Sequence, residues 1–158
     1  MVEMTTKQDR LNKRLNELHA EVNEWLPAIN RIAVALYDKG TGVLKTFINS
    51  TEGGSPLEHY QAQLDEVKSL KELADTHQPR IINDLSVLAK GKANHTQKIV
   101  ERGYKSSLTQ PIVHNGEFYG FIFFNASETD YFTPTAVHNL GVYAACDLQK
   151  RPPNRGKI

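Results

Sequence analysis

Residues 104–125, YKSSLTQPIVHNGEFYGFIFFN, decide the fold, because two extended runs flank the pair Asn115-Gly116. An Asn-Gly pair between two such runs is the strongest short-range signal for a β-hairpin, since both central positions of a type I′ turn need positive φ. In the first arm Leu108 and Ile112 share one face, and Ser107, Thr109, Pro111 and Val113 share the other. The second arm, Phe118 to Phe124, is apolar on both faces. Such a strand must be covered on both sides. That requirement predicts an α+β domain, a central antiparallel sheet of about five or six strands with helices or capping segments above and below.

The flanking chain supplies the remaining elements. Arg31 to Tyr37 reads as a β-rich strand, and Asp38-Lys39-Gly40-Thr41-Gly42 carries the turn chemistry for a second hairpin. Its return arm alternates Val43, Lys45 and Phe47 against Leu44, Thr46 and Ile48. Ser55 as N-cap and Pro56 at N1 predict a helix with Leu57, Tyr60, Leu64, Val67 and Leu70 to Leu73 along one side. Arg80 to Leu85 predicts a short edge or near-edge strand, followed by Ser86 as a cap. Between Leu85 and Gly103 the chain is rich in Lys, Asn, His and Gln, a composition that suits a lid with a short helix over Thr96 to Arg102. Thr133 and Pro134 open a closing helix that runs to Leu148, with Val137, Leu140, Gly141, Ala144 and Leu148 as its buried stripe.

At the N-terminus, Leu11, Leu15, Leu18, Val22, Trp25 and Ile29 recur at spacings of four, three, four, three and four. A stripe this narrow predicts a homodimer seam through Leu11, Leu15, Leu18 and Val22, with the C-terminal helix as a further partner; packing on the chain's own domain is the other reading of the same stripe. Pro27 kinks that helix or marks its last stretch. The organisation expected is a helix over 1–30, a domain over 31–149 and a tail over 150–158.

Composition narrows the class. A chain of 158 residues is about one domain, and a net charge of +1 with both signs interspersed carries no electrostatic footprint for nucleic acid. No apolar run approaches the 18 or so residues of a membrane span, and no signal core follows the first charges, so a cytoplasmic location is expected. The single cysteine, Cys146, can form neither an internal disulfide nor a cysteine metal cluster. His19, His59, His77, His95, His114 and His138 show no metal-ligand spacing. No metal site is expected.

The order Ser-Ser-Leu-Thr-Gln-Pro-Ile, Asn-Gly-Glu, Phe-Tyr-Gly-Phe-Ile-Phe-Phe, then Phe-Thr-Pro before a last helix resembles the C-terminal half of a GAF domain. Ser106, Leu108, Pro111, Gly116, Glu117, Gly120, Phe132 and Thr133 carry the likeness, which extends over about Ile29 to Leu148. It implies a sensory domain whose lid closes a small-molecule pocket against the sheet, and a strand ending in an Asp at Asp84. Two branches of the family are not matched. The Asn-Lys-x-Phe-Asp-Glu signature of cyclic-nucleotide binders is missing, and one cysteine in the closing helix cannot supply the thiols used to reduce methionine sulfoxide or to attach a bilin.

The candidate site emerges from polar groups where apolar ones would pack better. Ser107 and Thr109 alternate on one face, Asn83, Asp84 and Tyr104 lie at neighbouring strand ends, and Phe121 and Phe123 offer an apolar floor. His95 in the lid is read as a solvated histidine and Cys146 as an inert core thiol. No paired carboxylates, nucleophile and base, or phosphate-cradling loop can be assembled, so catalysis is not expected. The chain reads as a regulatory module in signal transduction, binding a small molecule whose identity the residues do not name and acting on an output protein. A ligand-free structural and dimerisation module is the alternative.

Overall fold

The computed structural model describes residues 2–52, 61–89 and 103–148. In chain order these form α1 (Val2–Asn23), β1 (Ile29–Asp38), β2 (Val43–Thr51), β3 (Gln61–Gln63), α2 (Lys68–Thr76), β4 (Arg80–Ile82), α3 (Ser86–Ala89), β5 (Ser106–His114), β6 (Glu117–Ala126) and α4 (Pro134–Leu148). A single 3-10 turn, Leu64–Glu66, precedes α2. The strands make one six-stranded sheet in the order β3-β2-β1-β6-β5-β4, antiparallel at every pairing. Asn115 and Gly116 take φ of 54° and 77°, as the type I′ turn between β5 and β6 requires.

Both faces of the sheet are covered. On one, Leu15, Leu18 and Val22 of α1 and Phe132 and Leu140 from the closing segment pack with Ile32, Val34, Ile48, Leu108, Ile122 and Phe124. On the other, Leu64, Leu70, Leu73 and Ala74 pack with Ala35, Leu44 and Phe121. The closing helix starts as its sequence dictates, the Thr133 hydroxyl accepting the Ala136 N–H at 3.1 Å.

Register shifts break the simple alternation of the strands at three places, one of them between Ile29 and Arg31 where β1 meets β6. Val34 pairs with Ile48 but Ala35 pairs with Thr46, so Phe47 is an extra residue in β2 and joins Ile48 on the α1 side. Ile112 pairs with Gly120 but Val113 pairs with Phe118, leaving Tyr119 extra in β6. Phe118 is thereby returned to the face that already holds Phe121 and Phe123.

Several expectations are corrected. The helix expected to run on from Ser55 is interrupted, since Gln61–Gln63 is an edge strand paired to Val43, Leu44 and Lys45 and α2 spans Lys68–Thr76; Ser55, Pro56, Leu57 and Tyr60 lie outside the described residues, as do the expected 96–102 helix and the tail. α1 ends at Asn23, so Trp25 falls in the following turn and Ile29 on β1. The larger correction concerns the dimer seam. Leu15, Leu18 and Val22 are 0%, 3% and 0% exposed, and Leu11 packs beside them. They are consumed by the chain's own sheet.

A second stripe fixes α1 along β2. β3 reaches only Val43 to Lys45, so among the described residues the outer edge of β2 beyond that point has no strand partner. The side chains of α1 take its place. The Gln8 amide donates to the Phe47 carbonyl at 2.9 Å, and Asn12 both donates to the Asn49 carbonyl at 3.2 Å and accepts the Asn49 N–H at 3.3 Å. Such cover keeps an open edge from pairing with another chain. Farther along, buried His19 lies 2.8 Å from both the Ser50 hydroxyl and the Ile29 carbonyl. The carbonyl can only accept, so Nε2 carries a proton and donates to it, while Nδ1 and the Ser50 hydroxyl share the second hydrogen bond. His19→Leu keeps the apolar bulk and takes this partner from the Ser50 hydroxyl, while the Ile29 carbonyl keeps the hydrogen bond donated by the Asn23 amide at 2.9 Å; a loss of about 1–2 kcal/mol is expected, read as a lower urea midpoint at unchanged slope.

Candidate functional site

The strand registers place residues of one sheet face in transverse rows. Arg31 of β1 lies between Thr51 of β2 and Asn125 of β6, and Asn125 lies opposite Ser107 of β5, itself opposite Ile82 of β4. The next row runs Asn49, Ala33, Phe123, Thr109, Arg80. Directly opposed residues point to the same side of a sheet. Because Phe123 and Phe121 belong to the cluster under α2, these rows face away from α1 and α4.

The rows bury polar groups to an unusual degree. Arg31, Thr109 and Asn125 are each 2% exposed and Ser107 is 7% exposed. Burial of such groups is unfavourable unless each finds a partner. One pairing is internal, Arg31 donating to the Asn125 side-chain oxygen at 3.0 Å. The hydroxyls of Ser107 and Thr109 make no hydrogen bond to another described residue. Beside Thr109, Arg80 is half-buried, and its Nε is buried with no hydrogen-bond partner among the described residues. Removal from water pushes its guanidinium below the ordinary arginine value.

Of the residues expected in the site, Ser107, Thr109 and Phe123 come together on this face. Phe121 is on the same face but fully buried beneath α2, with its ring 5.0 Å from Phe118 and 5.8 Å from Phe123, so it serves as core. Tyr104 is buried against Leu85 and Ile82 at the end of the first row. Asn83 and Asp84 stand apart, both exposed. The Asn83 carbonyl accepts the Asp130 N–H, and the Asp84 carboxylate accepts the N–H and hydroxyl of Ser86 at 3.0 and 2.7 Å. Asp84, not Ser86, therefore caps α3. His95 lies outside the described residues, and so does the side chain of Cys146.

Arg31, Arg80 and Asn125 were not singled out from the sequence. An arginine inside the run INRIAVAL was a signal, since a charge in a central strand needs a reason. The open groove of about 650 Å³ beside Gln8, Leu36, Lys45 and Phe47 lies at the β1–β2 hairpin, away from the two rows. Among the described residues no group of His, Cys, Asp and Glu is placed to hold a metal ion, and no described helix is long and apolar enough to cross a membrane.

Comparison with solved structures identifies the architecture. The GAF domain region of a putative membrane protein from Geobacter sulfurreducens superposes with a TM-score of 0.70 at 18% identity, over 93% of this chain and 96% of that one. The fold is that of a GAF domain. A phycocyanobilin-bound GAF domain from a cyanobacterial phytochrome gives a TM-score of 0.64 at 16% identity, over 93% and 89% of the two chains. A type II free methionine-R-sulfoxide reductase from Thermoplasma acidophilum gives 0.66 at 14% identity, over 87% and 88%. No protein-family model matches the chain, and a search of curated proteins returns no significant match. The GAF fold accounts for the two-sided sheet and for terminal helices that share one face, opposite the polar rows.

Proposed function

We propose that the chain is a small-molecule-binding sensory domain of signal transduction, with its ligand seated on the face formed by Arg31, Ser107, Thr109, Phe123 and Asn125. The observation that carries this reading is the burial of four polar side chains on one sheet face, two of them with hydroxyls that bond no other described residue. Hydroxyls set among apolar side chains on such a face offer hydrogen bonds to a bound molecule. That GAF neighbours include one solved with a bilin bound supports the same use of the fold.

In this reading the domain is cytoplasmic and does no chemistry of its own. Its ligand state reaches an output protein through α1 and α4, which cover the opposite face of the sheet. Homodimer formation belongs to the same proposal, but through outward surfaces of the two helices, since the leucine stripe is occupied. Val142 on α4 is 51% exposed and supports such a contact.

Thr109→Val tests the site. It preserves side-chain shape and deletes one hydrogen-bonding group; ligand binding should weaken by about 1–3 kcal/mol while folding stability changes far less. Thermal unfolding of wild type and variant across a nucleotide and metabolite panel measures both, because any ligand that prefers the native state raises its midpoint. The Arg31–Asn125 hydrogen bond favours a second reading, a ligand-free structural module whose face is satisfied internally. In that case no compound raises the wild-type midpoint.

A further inference from the structure

The hydrogen-bonding character of the buried face specifies what kind of molecule it takes. Arg80 brings a guanidinium, which only donates, and the Asn125 oxygen is already engaged by Arg31, so its amide nitrogen is left to donate. The hydroxyls of Ser107 and Thr109 can donate as well. None of the row positions, Thr51, Arg31, Asn125, Ser107, Ile82, Asn49, Ala33, Phe123, Thr109 and Arg80, is an aspartate or glutamate. Among the described residues these rows therefore offer donors and positive charge, and no row position supplies a carboxylate.

Arg80 is the informative member. It stands directly across from Thr109 at the end of the second row, on an edge strand only three residues long. Its Nε–H is buried and bonded to no described residue, and a donor left so is among the costlier defects a fold can keep. The depression of its pKa by burial agrees that the charge lies partly out of water. An arginine fork prefers planar acceptors that can take two parallel hydrogen bonds, which describes a carboxylate or a phosphate oxygen pair.

We infer that the ligand of this face is anionic and presents an oxyanion, carboxylate or phosphate, to Arg80 with Thr109 and Ser107 as neighbouring donors. This rests on the sensory reading above and adds the ligand's charge and the residue that reads it. Phe123, between Asn125 and Thr109 on the neighbouring strand positions, gives the remainder of the molecule an aromatic surface.

The test uses the full chain at constant ionic strength and five probes: inorganic phosphate, adenosine monophosphate, succinate, and the uncharged adenosine and glycerol. Unfolding midpoints and the Arg80 Nε–Hε resonance are followed for wild type, Arg80→Gln and Arg80→Lys. At least one oxyanion should raise the wild-type midpoint and move that resonance in a saturable way. Arg80→Gln should then weaken binding about tenfold or more, and Arg80→Lys, which keeps the charge without the fork, should retain part of it. A response to phosphate and adenosine monophosphate assigns the oxyanion as phosphate, and a response to succinate assigns it as carboxylate. An anion that binds Arg80→Gln as well as wild type overturns the inference. So does a neutral probe that binds wild type and Arg80→Gln equally while no anion binds, although the ligand-binding reading survives that result. Binding by none of the five overturns the inference and removes support from both.

Discussion

Gly120→Ala is expected to destabilise the fold by about 4 kcal/mol or more, enough to remove most of the stability of a domain at the low end of the ordinary range. Gly120 follows the bulge at Tyr119, where β6 returns to regular pairing, and it takes a φ of 152°. A methyl group built there would lie 2.1 Å from the Ala35 carbonyl oxygen, with the Leu36 Cα at 3.1 Å. Those atoms are main chain of the central strand β1 and cannot swing aside as a side chain would. Two costs combine, a backbone conformation that L side chains rarely adopt and a clash that pushes β1 away from β6, each about 1–3 kcal/mol. Gly116→Ala is the control. Its φ is also positive, at 77°, but nothing lies within 4 Å of the added carbon. Urea unfolding followed by circular dichroism should show a small loss for Gly116→Ala and a large one for Gly120→Ala. Equal losses would mean that the sheet yields where β1 and β6 meet.

The second large effect is Leu18→Glu, which from the heptad stripe alone would have been expected to separate a dimer into folded monomers. The packing makes it a folding defect. Leu18 is 3% exposed among Leu15, Val22, Ile32 and Phe124, so the substitution removes apolar contact and leaves a carboxylate in hydrocarbon surroundings. A loss of about 4 kcal/mol is expected near neutral pH. Its pH dependence is diagnostic. Burial raises the introduced carboxyl's pKa in the folded state above its unfolded value, so the native state holds the proton more tightly. Stability should be recovered as pH falls into the ordinary carboxylate range and lost again as it rises. Light scattering alongside the unfolding curves separates the two explanations: a monodisperse, fully stable monomer at neutral pH would restore the seam between two chains.

The contrast between what could be read beforehand and what could not has a physical basis. The Asn115-Gly116 turn and the Thr133-Pro134 helix start were legible because their chemistry is local, a matter of φ and of one capping oxygen. The α1 stripe was legible as a pattern but not as a partner, since a sheet and a second helix accept the same spacing of leucines. The bulges at Phe47 and Tyr119 were invisible because an extra residue changes which face a side chain takes without changing composition. Ser107, Thr109 and Phe123 emerged from alternation within their strands. Arg31 and Asn125, separated by 94 residues, meet only once the register of β1 on β6 is known. Arg80 depended on pairing across β4 and β5, which three residues of edge strand do not announce.

Gln8, Asn12 and His19, the residues that hold α1 along β2, also act as a ruler. Four residues of helix advance about 6 Å, close to the span of two residues of strand, so the amides of Gln8 and Asn12 match the main chain at Phe47 and Asn49. Asn16 stands four residues farther on, so the amide series alone would fit equally well one turn out of step. His19 removes that ambiguity. A one-turn slip would carry its imidazole into the fully buried apolar position of Leu15 and bring Asn23 to the contacts with Ser50 and Ile29. The helix is thus indexed: its amides set the spacing of the notches, and one histidine decides which notch is used. Axial travel of α1 along the sheet must begin with the release of that imidazole.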